Sequence, residues 1–208
     1  MKPIEQPKLT IVDRPCGWGK TSDFIRSFDP EKSHLVVTPL LSEVERIIDQ
    51  SDMPFYQPST DGKSNTKAKD LEELLLEGCN VATTHELYQR IAPLACQGYL
   101  DDYHIIIDEV PDVCRQQDGV SKKSFEEFYI QNGYVEVCKD GKVIPTSLWD
   151  EEYENVSDTL KSRLYSLASA GMLRVVNGEF FMWVLPEELL KAGRSITVYT
   201  YLAQGSML

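Results

Sequence analysis

Residues 9–21, LTIVDRPCGWGKT, constrain this chain more than any other stretch. The β-branched run Thr10, Ile11 and Val12 reads as a strand, Leu9–Val12, and Gly17 and Gly19 then permit a turn too tight for side chains. Lys20-Thr21 leads directly into SDFIRSF, an amphipathic helix. A strand that ends in a glycine turn at the start of a helix aims several backbone N–H groups at one point, which makes an anion cradle. A lysine there reaches terminal phosphates as a point charge, and a threonine offers its hydroxyl to Mg²⁺. The longer glycine-to-lysine pattern of such loops begins with a glycine where this chain has Arg14, so the stretch does not carry a function alone.

Bulk properties narrow the frame. With 208 residues, 42% of them hydrophobic, the chain has enough apolar surface for one substantial core with an insert. No apolar run approaches the ~18–20 residues of a membrane span, and MKPIEQPKL has no apolar signal region. Five scattered cysteines without C-x-x-C spacing fit reduced thiols, so a cytoplasmic protein is expected. The three histidines stand apart, which argues against a metal cluster. The net charge of −12 lends no support to nucleic-acid binding, which ordinarily shows a basic face.

Along the chain, strands alternate with helices. Asp29-Pro30 stops the first helix, and His34–Thr38, HLVVT, has the continuous apolar character of a strand buried on both faces. Pro39 ends it. Ser42 with Glu45 forms a capping box for a helix whose Val44, Ile47 and Ile48 share one face. Residues 51–69 are polar and read as a surface loop. Leu71, Leu74 and Leu75 mark a helix, Asn80–Thr84 a strand, and a further helix starts near His85. Tyr103–Ile107, YHIII, then runs into Asp108-Glu109. This alternation predicts an α/β parallel sheet flanked by helices, with ligand chemistry at the carboxyl ends of the strands. The glycine turn and the carboxylate pair therefore fall on the same edge.

Residues 112–194 have a different texture and read as an α/β insert containing hairpins. The sheet core is assigned to about 1–111 and 195–208 within a single domain of 1–208. Ser124 with Glu127 caps a helix carrying Phe125 and Phe128, and Asp140-Gly141 joins strands at Tyr134–Cys138 and Val143–Pro145. Leu160, Leu164 and Leu167 share a helix face that Gly171 ends. Asn177-Gly178 is a hairpin signal between Leu173–Val176 and Glu179–Val184. Pro186 opens a helix closed by Gly193, and Ser195–Leu202 returns to the buried-strand pattern.

Each motif has a bland reading. G-x-G-K-T is compatible with an ordinary turn beside an exposed lysine, and a Asp-Glu pair is most often a solvated strand end. Together they describe one chemistry: Asp108 holds Mg²⁺ and Glu109 polarises the water that attacks a γ-phosphate. Trp18, unusual at a loop tip, either packs beside the nucleotide or covers the loop. PCGWGKT also resembles motif I of the superfamily 2 helicases and translocases, P-T-G-S-G-K-T, which likewise lacks the distant glycine. VVTPLLSEVERI is similar to motif Ia, NVATTHELYQRI to the Thr-Thr-His block after it, and IIIDEVP to the DEAD/DEAH box, motif II.

The resemblance implies a RecA-like P-loop NTPase domain, the first of two. It implies ATP and Mg²⁺ held by Gly17, Trp18, Gly19, Lys20, Thr21 and Asp108, with Lys20, Asp108 and Glu109 as the catalytic set. It places Thr38, Pro39, Thr83, Thr84 and His85 against a nucleic-acid backbone, DNA ahead of RNA, and calls for a second RecA-like domain to bring an arginine finger. Pro111 departs from the usual acid or histidine of motif II, and Thr200-Tyr201-Leu202 is only a loose counterpart of motif III. A DNA-packaging terminase and a non-catalytic interaction module on the same fold are the alternatives.

Overall fold

The structure, a computed structural model, describes residues 8–15, 17–60, 66–110, 114–116, 121–149, 160–177 and 180–201. Its elements run β1 (Lys8–Asp13), α1 (Lys20–Arg26), β2 (Ser33–Thr38), α2 (Leu41–Gln50), α3 (Lys67–Leu76), β3 (Val81–Thr84), α4 (His85–Tyr88), α5 (Ala92–Cys96) and β4 (Tyr103–Asp108). They continue with β5 (Cys114–Gln116), α6 (Lys122–Phe125), β6 (Val135–Val137), β7 (Val143–Pro145), α7 (Leu160–Ser169), β8 (Leu173–Val176), β9 (Phe180–Val184), α8 (Glu187–Lys191) and β10 (Ser195–Thr200). The chain divides into two compact units, one of Met1–Pro111 with Glu187–Leu208 and one of Asp112–Pro186.

The first unit holds a five-stranded sheet in the order β1-β10-β4-β2-β3, with every neighbouring pair parallel. Residues alternate between its faces. On one face Val36, Ala82, Ile106 and Tyr199 pack with Phe24 of α1 and with Val44 and Ile47 of α2. The intervening Leu35, Val37, Ile105, Ile107, Ile196 and Val198 are buried as well. Burial on both faces is what a parallel sheet between helices requires. The fold is thus an α/β parallel sheet with hairpin elements in the second unit, consistent with a P-loop-type fold. The edge strand β1 is the exception, with Leu9 and Ile11 exposed.

Three local expectations are corrected. Helix α2 starts at Leu41 behind an extended Leu40 with no side-chain cap, so Ser42 and Glu45 lie inside it and form no capping box. Residues 51–60 are more than a surface loop: Phe55 is buried in the core, and Tyr56 N–H donates to the Asn80 carbonyl at 2.9 Å while its carbonyl accepts from Ala82 N–H at 3.0 Å. Helix α8, assigned from sequence to the insert, belongs to the first unit, where Leu189 is fully buried and its carbonyl accepts from the Tyr88 hydroxyl at 2.8 Å. Gly193 then turns the chain into β10 at φ 82°, and a side chain there would meet the Tyr103 carbonyl at 2.9 Å.

The second unit contains the antiparallel pair β6–β7 and the three-stranded sheet β5-β9-β8. Its core packs Phe125, Val135, Val143, Trp149, Leu164 and Leu173. Ser121, three residues before the expected Ser124, caps α6 by accepting from Ser124 N–H at 3.2 Å. Strand β5 had no counterpart in the sequence reading. Among the described residues no helix is long and apolar enough to cross a membrane.

Candidate functional site

Two chain segments meet at the carboxyl edge of the parallel sheet. From β1 the loop runs through Gly17 and Gly19, both at positive φ, and a Cβ added at either would find nothing within 4 Å. The glycines are therefore required by backbone conformation, and they leave open space over the loop. Lys20 and Thr21 begin α1 and are buried at 9% and 8% exposure. From β4 comes Asp108, 7% exposed, followed by Glu109 in the left-handed region at φ 61°. Left-handed backbone is uncommon for a residue with a Cβ and is held only where surroundings enforce it. Here Glu109 N–H donates to the Tyr199 carbonyl at 2.7 Å, and Arg14 N–H donates to the Thr200 carbonyl at 3.0 Å. Strand β10, lying between β1 and β4, thus fastens both loops.

A pocket of about 370 Å³ lies between them, lined by Gly17, Gly19, Lys20, Thr21, Glu43, Arg46, Asp108 and Glu109. Its size suits a small polar ligand. The Lys20 ammonium is ion-paired with Glu109 Oε1. Burial pushes the Asp108 carboxyl up to about 6; Lys20 opposes that rise, Glu109 and Glu43 reinforce it, and Arg46 opposes it. Asp108 Oδ1 is buried without a hydrogen-bond partner among the described residues. A buried carboxylate oxygen without a donor is unfavourable unless something completes its shell, and a hard cation does so with oxygen ligands. No group of three or more His, Cys, Asp or Glu side chains suited to a metal occurs among the described residues. The oxygen-bearing side chains that the pocket could offer a hard cation are Thr21, Glu43, Asp108 and Glu109.

The remaining sequence candidates fall in different places. Trp18 is absent from the pocket lining and half-exposed, with the Arg14 guanidinium 5.1 Å from its ring centroid. That geometry is a cation–π cover on the loop. Thr38 is fully buried, and its hydroxyl donates to the Leu40 carbonyl at 3.0 Å. Thr83 is buried too, at 2% exposure. Pro39 is exposed, while Thr84 and His85 are half-buried, with His85 Nε2 3.0 Å from the Asp108 carbonyl. Pro111 and Leu202 lie outside the described residues.

Two lining residues escaped the sequence reading. Glu43 and Arg46 sit three apart on α2, where they look like an ordinary solvated ion pair. Only the strand order, which sets β2 beside β4, brings that helix to the carboxylates.

The fold is that of an α/β protein with a pocket of about 370 Å³, lined by charged side chains and glycines, at the carboxyl edge of its sheet. No family model matches the chain, and no curated protein does. Among solved structures it is similar to the structure of S. tokodaii Xpd4, at 16% identity and a TM-score of 0.49. The likeness covers 97% of this chain and 55% of that one, so this chain spans about half the length of that structure.

Proposed function

We propose that this chain binds ATP as its magnesium complex in the pocket between Gly17–Thr21 and Asp108-Glu109, as the ATP-binding motor domain of a superfamily 2 type helicase or translocase. The observation that carries the reading is the convergence of Lys20 and Thr21 from β1 with Asp108 and Glu109 from β4 around one pocket. Charge supports it. The lining sets the carboxylates of Glu43, Asp108 and Glu109 against Lys20 and Arg46, so a bare anion meets a net negative wall. A polyphosphate that brings a divalent cation meets the same wall with two fewer negative charges.

In this reading Thr21 and Asp108 hold Mg²⁺, which neutralises charge on the phosphates when bound. Lys20 exchanges Glu109 for a phosphate oxygen, and the released carboxylate accepts a proton from the attacking water. A nucleic-acid backbone, DNA ahead of RNA, would meet the exposed Pro39 and the half-buried Thr84 and His85, since Thr38 and Thr83 are buried. A second RecA-like domain would complete the site with an arginine finger, a contribution of about 10³–10⁵ in rate where its role is known. Turnover by this chain alone is accordingly expected to be slow and unaccompanied by duplex unwinding.

The test compares Mg·ATP binding and single-turnover hydrolysis in the wild-type chain, Lys20→Ala and Glu109→Gln. Lys20→Ala is expected to weaken binding at least ~10-fold, the loss of a charge-assisted contact. Glu109→Gln should bind as tightly as wild type or more so, because Lys20 is no longer tied up, and hydrolyse about 10²-fold more slowly. Undetectable nucleotide binding by all three proteins would sink the reading and favour an interaction module.

A further inference from the structure

Arg46 reaches the pocket from α2, an element that contributes neither the glycine loop nor the carboxylate pair. Its guanidinium is held loosely: Nη1 lies 3.4 Å from Glu43 Oε2, Nε 3.2 Å from Gln50 Oε1, and Nη2 3.4 Å from the Ser22 hydroxyl. These distances are at the long end for hydrogen bonds to a guanidinium, and its five donors are far from saturated by them. The side chain is 39% exposed, so it keeps the freedom to turn toward a ligand without leaving its helix. Lys20, the other cation of the lining, is already paired with Glu109.

Strand order fixes where along the ligand Arg46 stands. The glycine loop follows β1, the carboxylates follow β4, and α2 follows β2 on the far side of β4. A phosphate chain cradled by the loop and directed toward Asp108 therefore has its outer end nearest α2. Arginine suits that position, because its planar fork binds two phosphate oxygens at once.

We infer that Arg46 is a specificity-determining ligand of the terminal phosphate, supplied in cis, which makes this pocket distinguish a nucleoside triphosphate from the diphosphate. The inference rests on the nucleotide reading given above. On binding, Nη1 and Nη2 exchange Glu43 and Ser22 for the outer phosphate, and Glu43 is left solvated at the pocket rim.

Calorimetric titration of the full chain with Mg·AMP-PNP and Mg·ADP tests this, using wild type, Arg46→Ala, Arg46→Lys and Lys20→Ala. Arg46→Ala should lose about 10–100-fold in AMP-PNP affinity, the range for charge-assisted contacts, with ADP affinity changed less than about threefold. Arg46→Lys, which keeps the charge and the helix propensity, should recover part of the AMP-PNP affinity and guards against misfolding of the alanine variant. Lys20→Ala should weaken both nucleotides. Equal losses for the two nucleotides in Arg46→Ala, or none in either, overturn the role of Arg46 while leaving the nucleotide reading intact. Wild-type protein that binds neither nucleotide overturns the reading and the inference together.

Discussion

The two units of this chain treat buried polarity in opposite ways. Every buried polar or charged side chain described, namely Lys20, Thr21, His34, Thr38, Thr83, Gln89, Asp108 and Thr200, belongs to the parallel-sheet unit. Thr38, Asp108 and Thr200 are the last residues of their strands. The second unit instead closes its described core with Phe125, Val135, Val143, Trp149, Leu164 and Leu173, and around Trp149 the rings of Tyr129 and Tyr165 lie edge-on at 5.3 Å. Aromatic edge contacts and apolar burial both stabilise. A buried carboxylate oxygen lacking a partner works against stability. The difference sets the unit that holds the pocket apart from one in which packing dominates.

Replacing the centre of the aromatic cluster should have the largest effect. Trp149→Ala removes a fully buried side chain and is expected to cost about 3–5 kcal/mol in urea unfolding. A loss below about 1 kcal/mol would show that the second unit does not depend on this cluster. Asp108→Asn should act in the opposite direction. Because the folded carboxyl is raised to about 6 from an ordinary 3.8, ionising it works against folding. The amide should therefore stabilise the chain by about 1–3 kcal/mol above pH 6. That gain should shrink as pH falls toward 4, where the folded carboxyl is protonated and the unfolded one is becoming so. A stability gain independent of pH would remove burial of charge as its cause.

His34 gives the smallest and most localised expectation. It is 4% exposed, and burial, the largest cause, depresses its folded pKa below the ordinary 6.5. Asp29 opposes that depression, while His104 and Lys32 add to it. A depressed folded pKa means the unfolded chain binds more protons, so stability is retained above pH 6.5 and lost as pH falls below it. His34→Gln should flatten this acid-side slope in chemical denaturation, and an unchanged slope would assign it to other groups.

Much of the fold was legible because period and turn chemistry agree. HLVVT and YHIII have no polar interruptions, and both became doubly buried strands; Asp140-Gly141 and Asn177-Gly178 fall between strands that pair as hairpins. Strand β5 was not legible, since Cys-Arg-Gln has no strand pattern of its own and is recruited by pairing with β9. Phe55 and Tyr56 were hidden by the polar residues around them. At the site, the glycines, Lys20, Thr21, Asp108 and Glu109 could be named from local pattern, and they line one pocket. Glu43 and Arg46 could not, because a solvated ion pair and a pocket wall have the same local sequence and differ only in which strands are neighbours. The burial of Thr38 and Thr83 was not legible either: β-branched residues at strand ends look alike whether buried or exposed.

The placement of β10 also sets a schedule. The loops that follow β1 and β4 are fastened to its last two carbonyls, yet β10 is the final strand of the sheet to be made. At about 5–20 residues per second, the ribosome spends about 4–17 s on the chain between β4 and β10. During that interval β1 and β4 both exist and have no strand to join them. The pocket's two loops consequently cannot be fastened until β10 has been made, after all of the pocket's lining residues are already in the nascent chain.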